Sequence, residues 1–207
     1  MTPRRYAQRR RADSAAATRE AIVDAAVAVY REKGIGGATM KAIADRADVS
    51  RGTILNHFGH AEGLLDAVLE RILATLELPD ERILEGITGR DDRIRTYVAA
   101  MVAFFRRSAS WWPVFESELE RPVVKAREME YWTALARLQA AVLGPDLAAD
   151  ANLQTAIGAV IHPATMGSML WQLEQGGASP DRAARIVEDF VLGYVAIESK
   201  RSGREAS

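Results

Sequence analysis

With 207 residues, 48% of them apolar and 27% charged, the chain can bury a real core in one or two small domains, and its lack of Cys excludes a disulfide framework, a thiol nucleophile and a thiolate metal site. The net charge of −1 conceals an asymmetry: residues 1–60 hold 11 Lys and Arg against 6 Asp and Glu, and the remainder holds 16 against 22. A basic head on an acidic body suits one nucleic-acid face. The Arg-rich N-terminus lacks the apolar run of a secretory signal, so a cytoplasmic protein is expected.

In chain order, Arg4, Arg5, Arg9, Arg10 and Arg11 precede the first acidic residue, Asp13. Residues 1–17 show no packing pattern and read as a basic arm, disordered in isolation. Such an arm enters a minor groove, simply neutralises phosphates, or is a solvated tail. Thr18–Lys33 reads as an amphipathic helix with Ile22, Ala25, Ala26, Val29 and Tyr30 on its buried stripe, ended by Gly34. Thr39 is the N-cap candidate for Met40–Ala47, where Ile43, Ala44 and Ala47 face inward. Asp48 occupies the turn, where a left-handed backbone is required, and Val49 plugs the core. Ser50 then caps Arg51–Phe58, in which Ile54 and Phe58 share the inner face. Arg51, Gly52, Thr53, Leu55, Asn56 and His57 are left for an outer face, and two short helices joined by a tight turn are how a helix is laid into a major groove.

Thr18 to Glu70 resembles the N-terminal DNA-binding domain of the TetR family of bacterial transcriptional regulators. The pieces that carry the likeness are an AA-x-x-x-Y helix end, a Gly, T-x-x-x-I-A, VS-x-GT and HF, in that order. The resemblance implies an all-helical dimer that represses transcription and leaves its operator when a small molecule binds. It also implies DNA contacts at Thr39, Met40, Lys41, Ser50, Arg51, Gly52, Thr53, Asn56 and His57, to which the arm residues Arg9 and Arg10 are added. The chain departs from the pattern at three positions. Leu55 stands where a Tyr is usual, Ala61 where a Lys usually opens the fourth helix, and Asp48 where the turn usually has Gly. The first two remove backbone-positioning contacts rather than base readout.

The rest of the chain reads as helix, and no sustained alternation supports a strand. Expected helices are Glu62–Leu76, Glu81–Ile87, Arg93–Arg107, Phe115–Arg121, one from Pro122 to about Leu143, and Asp181–Ser199. Ala151–Leu173 has no Asp, Glu, Lys or Arg over 23 residues but is too polar for a membrane span, so a buried helix kinked at Pro163 is expected. The fold class is therefore all-α. A basic arm (1–17) and a helix-turn-helix DNA-binding domain (18–60) precede a larger helical effector-binding and dimerisation domain (61–199) and a frayed tail (200–207).

The last two helices are expected to pair with their copies as a four-helix bundle in a homodimer, with core of a monomer as the alternative. Met101, Phe104, Phe105, Trp111, Trp112, Phe115, Met129, Trp132, His162 and Met166 form an aromatic and Met group suited to an apolar or aromatic effector, although each alone reads equally as core. His162 either offers a hydrogen bond there or is satisfied by backbone beside Pro163. Arg106 and Arg107 either pair with Glu116 or Glu118 at the surface or meet an acidic ligand, the surface pairs being expected first. Three dispersed His residues make no metal set, no nucleophile–base pair is visible, and neither cofactor nor enzyme activity is implied. The partners expected are an operator in double-stranded DNA, a small-molecule effector and a second copy, with no membrane. The competing readings are a helical ligand-binding or protein-interaction module with weakened DNA contacts, and a ligand-independent DNA binder. Deleting residues 1–11 is expected to weaken DNA binding and flatten the dependence of log affinity on log salt; an unchanged slope would exclude a role for the arm.

Overall fold

The computed structural model describes residues 3–116, 118–148 and 151–205, and helices account for all regular structure among them. The helices are α1 (Pro3–Gly37), α2 (Met40–Ala47), α3 (Arg51–Phe58), α4 (Ala61–Leu76), α5 (Arg90–Ser108), α6 (Trp112–Glu116), α7 (Pro122–Ala148), α8 (Ala151–Val160), α9 (Pro163–Gln175) and α10 (Pro180–Glu205), with a 3₁₀ turn at Glu81–Leu84. No helix among the described residues is long and apolar enough to cross a membrane. Two compact units divide the chain: residues 1–77 with 110–129, and residues 78–109 with 130–207.

In the first unit, α1 packs on α2, α4 and α6. Its buried stripe is Ile22, Val23, Ala25, Ala26, Val29 and Tyr30, and α4 answers with Leu64, Leu65, Val68, Leu69 and Ile72. Burial pushes the Tyr30 hydroxyl up to about 12, with nearby Arg121 opposing and Glu62 reinforcing the shift. Gly34, at φ 70°, interrupts α1 in the left-handed region, as expected of its C-cap position, and one further turn follows to Gly37. The N-terminal side differs from expectation, since α1 is helical from Pro3 rather than from Thr18. Between Pro3 and Thr18 the sequence has no Gly and no second Pro but is rich in Ala and Arg, so local propensity favours helix without tertiary partners.

In the second unit, α5 and α10 pack together, α10 also meets α8 and α9, and α5 meets α9. The uncharged segment 151–173 forms two helices rather than one kinked helix. Pro163 has no N–H to continue the ladder and opens α9, and His162 caps it, its Nδ1 accepting from the Ala164 N–H at 3.2 Å. The backbone thus satisfies this His, the second of the two roles expected for it. The break leaves the Ile161 carbonyl without a helical donor, and buried Tyr97 supplies one, its hydroxyl donating at 2.8 Å. Gln139 donates to the Tyr97 oxygen at 3.2 Å, and the Thr165 hydroxyl donates to the Ala159 carbonyl at 2.9 Å. Every polar group named at the break therefore has a partner.

Three further expectations are corrected. The helix placed at Phe115–Arg121 lies at Trp112–Glu116, and α10 continues past Ser199 to Glu205. Arg106 lies against Glu174 at 3.8 Å and donates to the Pro180 carbonyl at 2.6 Å, because it projects toward the α9–α10 turn, whereas Glu118 pairs with Arg121.

Tyr97→Phe removes the donor to the Ile161 carbonyl and is expected to cost about 1 kcal/mol in urea unfolding near neutral pH. Burial raises the Tyr97 hydroxyl above its ordinary value, so above about pH 10 the unfolded chain releases a proton that the folded chain keeps, and stability falls as pH rises. The Phe variant should show a smaller alkaline loss than the parent.

Candidate nucleic-acid interface

The turn between α2 and α3 is built from local chemistry. Thr39 has extended backbone and its Oγ1 accepts from the Ala42 N–H at 3.2 Å, capping α2. Asp48 follows at φ 52° and ψ 46°, the left-handed conformation that a small polar residue tolerates, and the Val49 N–H closes onto the Ala44 carbonyl at 3.0 Å. Val49 is half-buried. Ser50 caps α3: its Oγ accepts from the Thr53 N–H at 3.0 Å, and the two hydroxyls lie 2.9 Å apart.

Helix α3 is anchored by Ile54, which is wholly buried, and by half-buried Phe58, over which the Arg19 guanidinium lies at 4.9 Å. At its C-terminus Gly59 takes φ 75°, and His60 caps α4, its Nδ1 accepting from the Gly63 N–H at 3.0 Å. Gly63 is fixed by close approach, because a Cβ there would lie 2.2 Å from the Phe58 carbonyl oxygen.

With Ile54 inward, Arg51, Gly52, Leu55 and Asn56 form one exposed face, since residues three and four apart on a helix are neighbours. Among the described residues, no hydrogen bond or ion pair engages the Arg51 or Asn56 side chain, two of the polar groups expected to contact DNA. Thr53 and His57 flank this face, half-buried, and Thr39 and Lys41 are exposed on α2 with Met40 partly covered. Lys41 pairs with Asp45 at 2.6 Å, an exposed contact that a phosphate can displace. Of the arm residues, Arg10 is exposed, and the Arg9 side chain lies outside the described residues.

Two ion pairs tie α4 to later segments of the same unit. Arg121 donates to Glu62 at 2.8 Å and also bonds Glu118; Arg127 donates to Asp66 at 2.8 Å. These partners were not evident from the sequence, where the arginines are about 60 residues from the acids; the four-residue spacing of Glu62 and Asp66 on one face of α4 was the available signal.

The aromatic group divides between the two units. In the first, buried Trp111, just before α6, stacks on Phe115 at 5.9 Å with the Arg31 guanidinium of α1 4.6 Å over its ring. Met129 is 62% exposed, and the Trp112 side chain lies outside the described residues. In the second unit Met101, Phe104 and Met166 are buried, and Phe105 packs against Gly167, where a Cβ would come within 3.3 Å of the ring. Trp132 stacks on His162 at 4.8 Å.

Tyr131, which the sequence reading did not single out, joins the two halves of this second cluster: it stacks on Phe104 at 6.0 Å and meets Trp132 edge-on at 4.9 Å. Its hydroxyl is buried with no hydrogen-bond partner among the described residues, and burial raises it above the ordinary tyrosine value. A buried polar atom without a partner is uncommon. A separate cleft of about 430 Å³ at the start of α5, lined by Gly89–Arg93, Arg95 and Leu143, is polar, and its cations are engaged: Arg90 with Asp91 and Ser199, Arg93 with two carbonyls, and Arg95 with Asp92.

Residues 22–68, which contain this capped helix pair, match the family model described as bacterial regulatory proteins, tetR family. The segment 22–68 carries that family's DNA-binding domain. It is similar to the HTH-type transcriptional regulator BetI of Burkholderia cenocepacia (strain HI2424), 29% identical over 114 residues, which is 52% of this chain and 58% of that protein. The chain thus spans little more than half the length of the curated relative it matches. Among solved structures, a TetR-like transcriptional regulator from Rhodococcus sp. RHA1 superposes with a TM-score of 0.60 at 17% identity, covering 86% of this chain and 96% of that one. FadR from Bacillus subtilis in complex with stearoyl-CoA superposes with a TM-score of 0.59 at 18% identity, covering 84% and 97%. At such identities the likeness establishes the fold: an N-terminal helix-turn-helix followed by a helical domain.

Gly63→Ala is expected to lower stability by about 1–3 kcal/mol, since its methyl must displace backbone. Gly52→Ala, whose Cβ meets only Ser50 Oγ at 3.5 Å, should hold stability or gain up to about 1 kcal/mol from helix propensity. Paired urea melts distinguish the two, and equal effects would mean that Gly63 is not held by close approach.

Proposed function

We propose that the protein is a ligand-responsive, sequence-specific transcriptional regulator, a repressor released from a palindromic operator by a small apolar or aromatic molecule. The observation that carries this reading is the exposed α3 face, on which unpaired Arg51 and Asn56 flank Gly52 and Leu55 on a helix capped and anchored so that this face stays outward. Arg suits guanine O6 and N7, and Asn suits adenine N6 and N7. Lys41, Thr39 and the arm supply phosphate contacts.

Dimerisation is assigned to α9 and α10. Helix α10 has two apolar stripes: Ala183, Val187, Val191 and Val195 are buried within the chain, and Phe190 and Ile197 stand 45% and 51% exposed beside half-buried Ile186 and Tyr194. Trp171 of α9 is 64% exposed. Exposed large apolar residues on two adjacent helices support a second copy as the partner, and a two-fold dimer requires half-sites one helical turn, or a multiple, apart.

The effector is placed beside Tyr131, Phe104 and Trp132, where the unpartnered hydroxyl supports a largely apolar molecule with one hydrogen-bonding atom. Helix α7 carries both Arg127, paired with Asp66 of α4, and Tyr131 one turn further on. A coupling of about 1–3 kcal/mol suffices to change operator occupancy.

Selection of bound DNA from a random duplex pool at a stated physiological salt concentration is expected to enrich a palindrome. Arg51→Ala and Asn56→Ala should each cost about 1–3 kcal/mol and relax one position per half-site. Retention that is only salt-sensitive, with no sequence enriched, would replace this reading with the helical ligand-binding or interaction module that Leu55 and Ala61 leave open.

A further inference from the structure

We propose that Leu55 is a specificity-determining residue that reads the C5-methyl group of one thymine in the major groove of each half-site; this rests on the DNA-binding role assigned above. Leu55 is 46% exposed on a face otherwise made of Arg51, Gly52 and Asn56. It lies one turn after Arg51 and next to Asn56, so a groove that receives those two side chains also receives the isobutyl group. Gly52, one position after Arg51, presents no side chain between the helix backbone and the DNA and lets this face approach closely.

The chemistry then selects the partner. An isobutyl group can neither donate to a phosphate nor match a base-edge donor or acceptor, and pressing it against either strips hydration without replacing it. The thymine methyl is the apolar feature of the major-groove edge, and contact with it removes apolar surface of both groups from water. Leu55 does not serve the core in exchange: the inner face of α3 is already filled by wholly buried Ile54 and by Phe58. The position that usually carries a phosphate-directed tyrosine thus reads a base in this chain, and base discrimination replaces a sequence-independent anchor.

The test uses the full chain and the selected palindrome, with each thymine replaced in turn by deoxyuridine, which removes only the methyl group and keeps every hydrogen-bonding atom. At one thymine per half-site the parent protein should lose affinity about fourfold, the worth of one buried methyl, and about 16-fold when both half-sites are changed. Leu55→Ala should bind the thymine and deoxyuridine duplexes nearly equally at that position, while Lys41→Ala keeps the parent's discrimination. Uniform tolerance of deoxyuridine by the parent, or an effect that survives Leu55→Ala, overturns the assignment even though a palindrome was selected. Failure to select any sequence instead removes the DNA-binding reading itself and the assignment with it.

Discussion

An eight-residue helix such as α3 does not persist in water on its own, because too few hydrogen bonds offset the cost of its first turn. Its orientation therefore depends on the seating of Ile54, wholly buried beneath it, and on the conformations that deliver the chain to that seat. Asp48 reverses the backbone in a left-handed conformation, Ser50 closes the first turn, and Gly59 with Gly63 lets the chain leave without colliding with the Phe58 carbonyl. Each contribution is about a kcal/mol, yet together they decide which side chains of α3 face outward. The recognition face is thus a by-product of burial: once Ile54 is inside, Arg51, Leu55 and Asn56 have no other direction to point.

The second unit solves a similar problem with a buried hydroxyl. Pro163 stops α8 from continuing into α9 and would strand the Ile161 carbonyl in an apolar interior, but Tyr97 reaches it from α5. That bond lets a break exist inside the core, and the break lets α9 take its own course beside α10 with Trp171 turned outward. A single straight helix over 151–173 would have left the chain no such freedom. The partner of the Ile161 carbonyl and the placement of the apolar face are therefore linked parts of one construction.

What was legible in the sequence was whatever short-range chemistry decides. The bounds of α2 and α3 follow from Thr39, Asp48 and Ser50, each of which acts within four residues of itself, and the buried stripe of α1 follows from its period. What was not legible depends on distant partners or on a competition between them. The Arg31 guanidinium over Trp111, which stacks on Phe115, joins residues 80 apart, which no spacing in the sequence records. Tyr131 looked like any helical aromatic until its hydroxyl proved to lack a partner. On α10 the sequence showed a broad apolar surface without dividing it, whereas packing against α5 assigns one stripe inward and leaves Phe190 and Ile197 outside.

The departures at Leu55 and Ala61 bear on how binding energy is distributed. Each phosphate contact omitted removes about 0.9 from the slope of log affinity against log salt and weakens specific and nonspecific complexes alike. Lys41 remains, but it begins in a 2.6 Å pair with Asp45, so part of its attraction to phosphate offsets a contact already present. If Leu55 meets a thymine methyl as proposed, a face with fewer backbone anchors and one more apolar base contact would hold random DNA weakly while keeping its preference among sequences. Such a regulator is sensitive to small displacements, because a base contact read by an isobutyl group loses its attraction within about an ångström of radial gap, whereas charge–phosphate attraction decays over roughly a Debye length. On the proposed role of Leu55, the residue that removes a backbone anchor would therefore also make binding more sensitive to any displacement of α3.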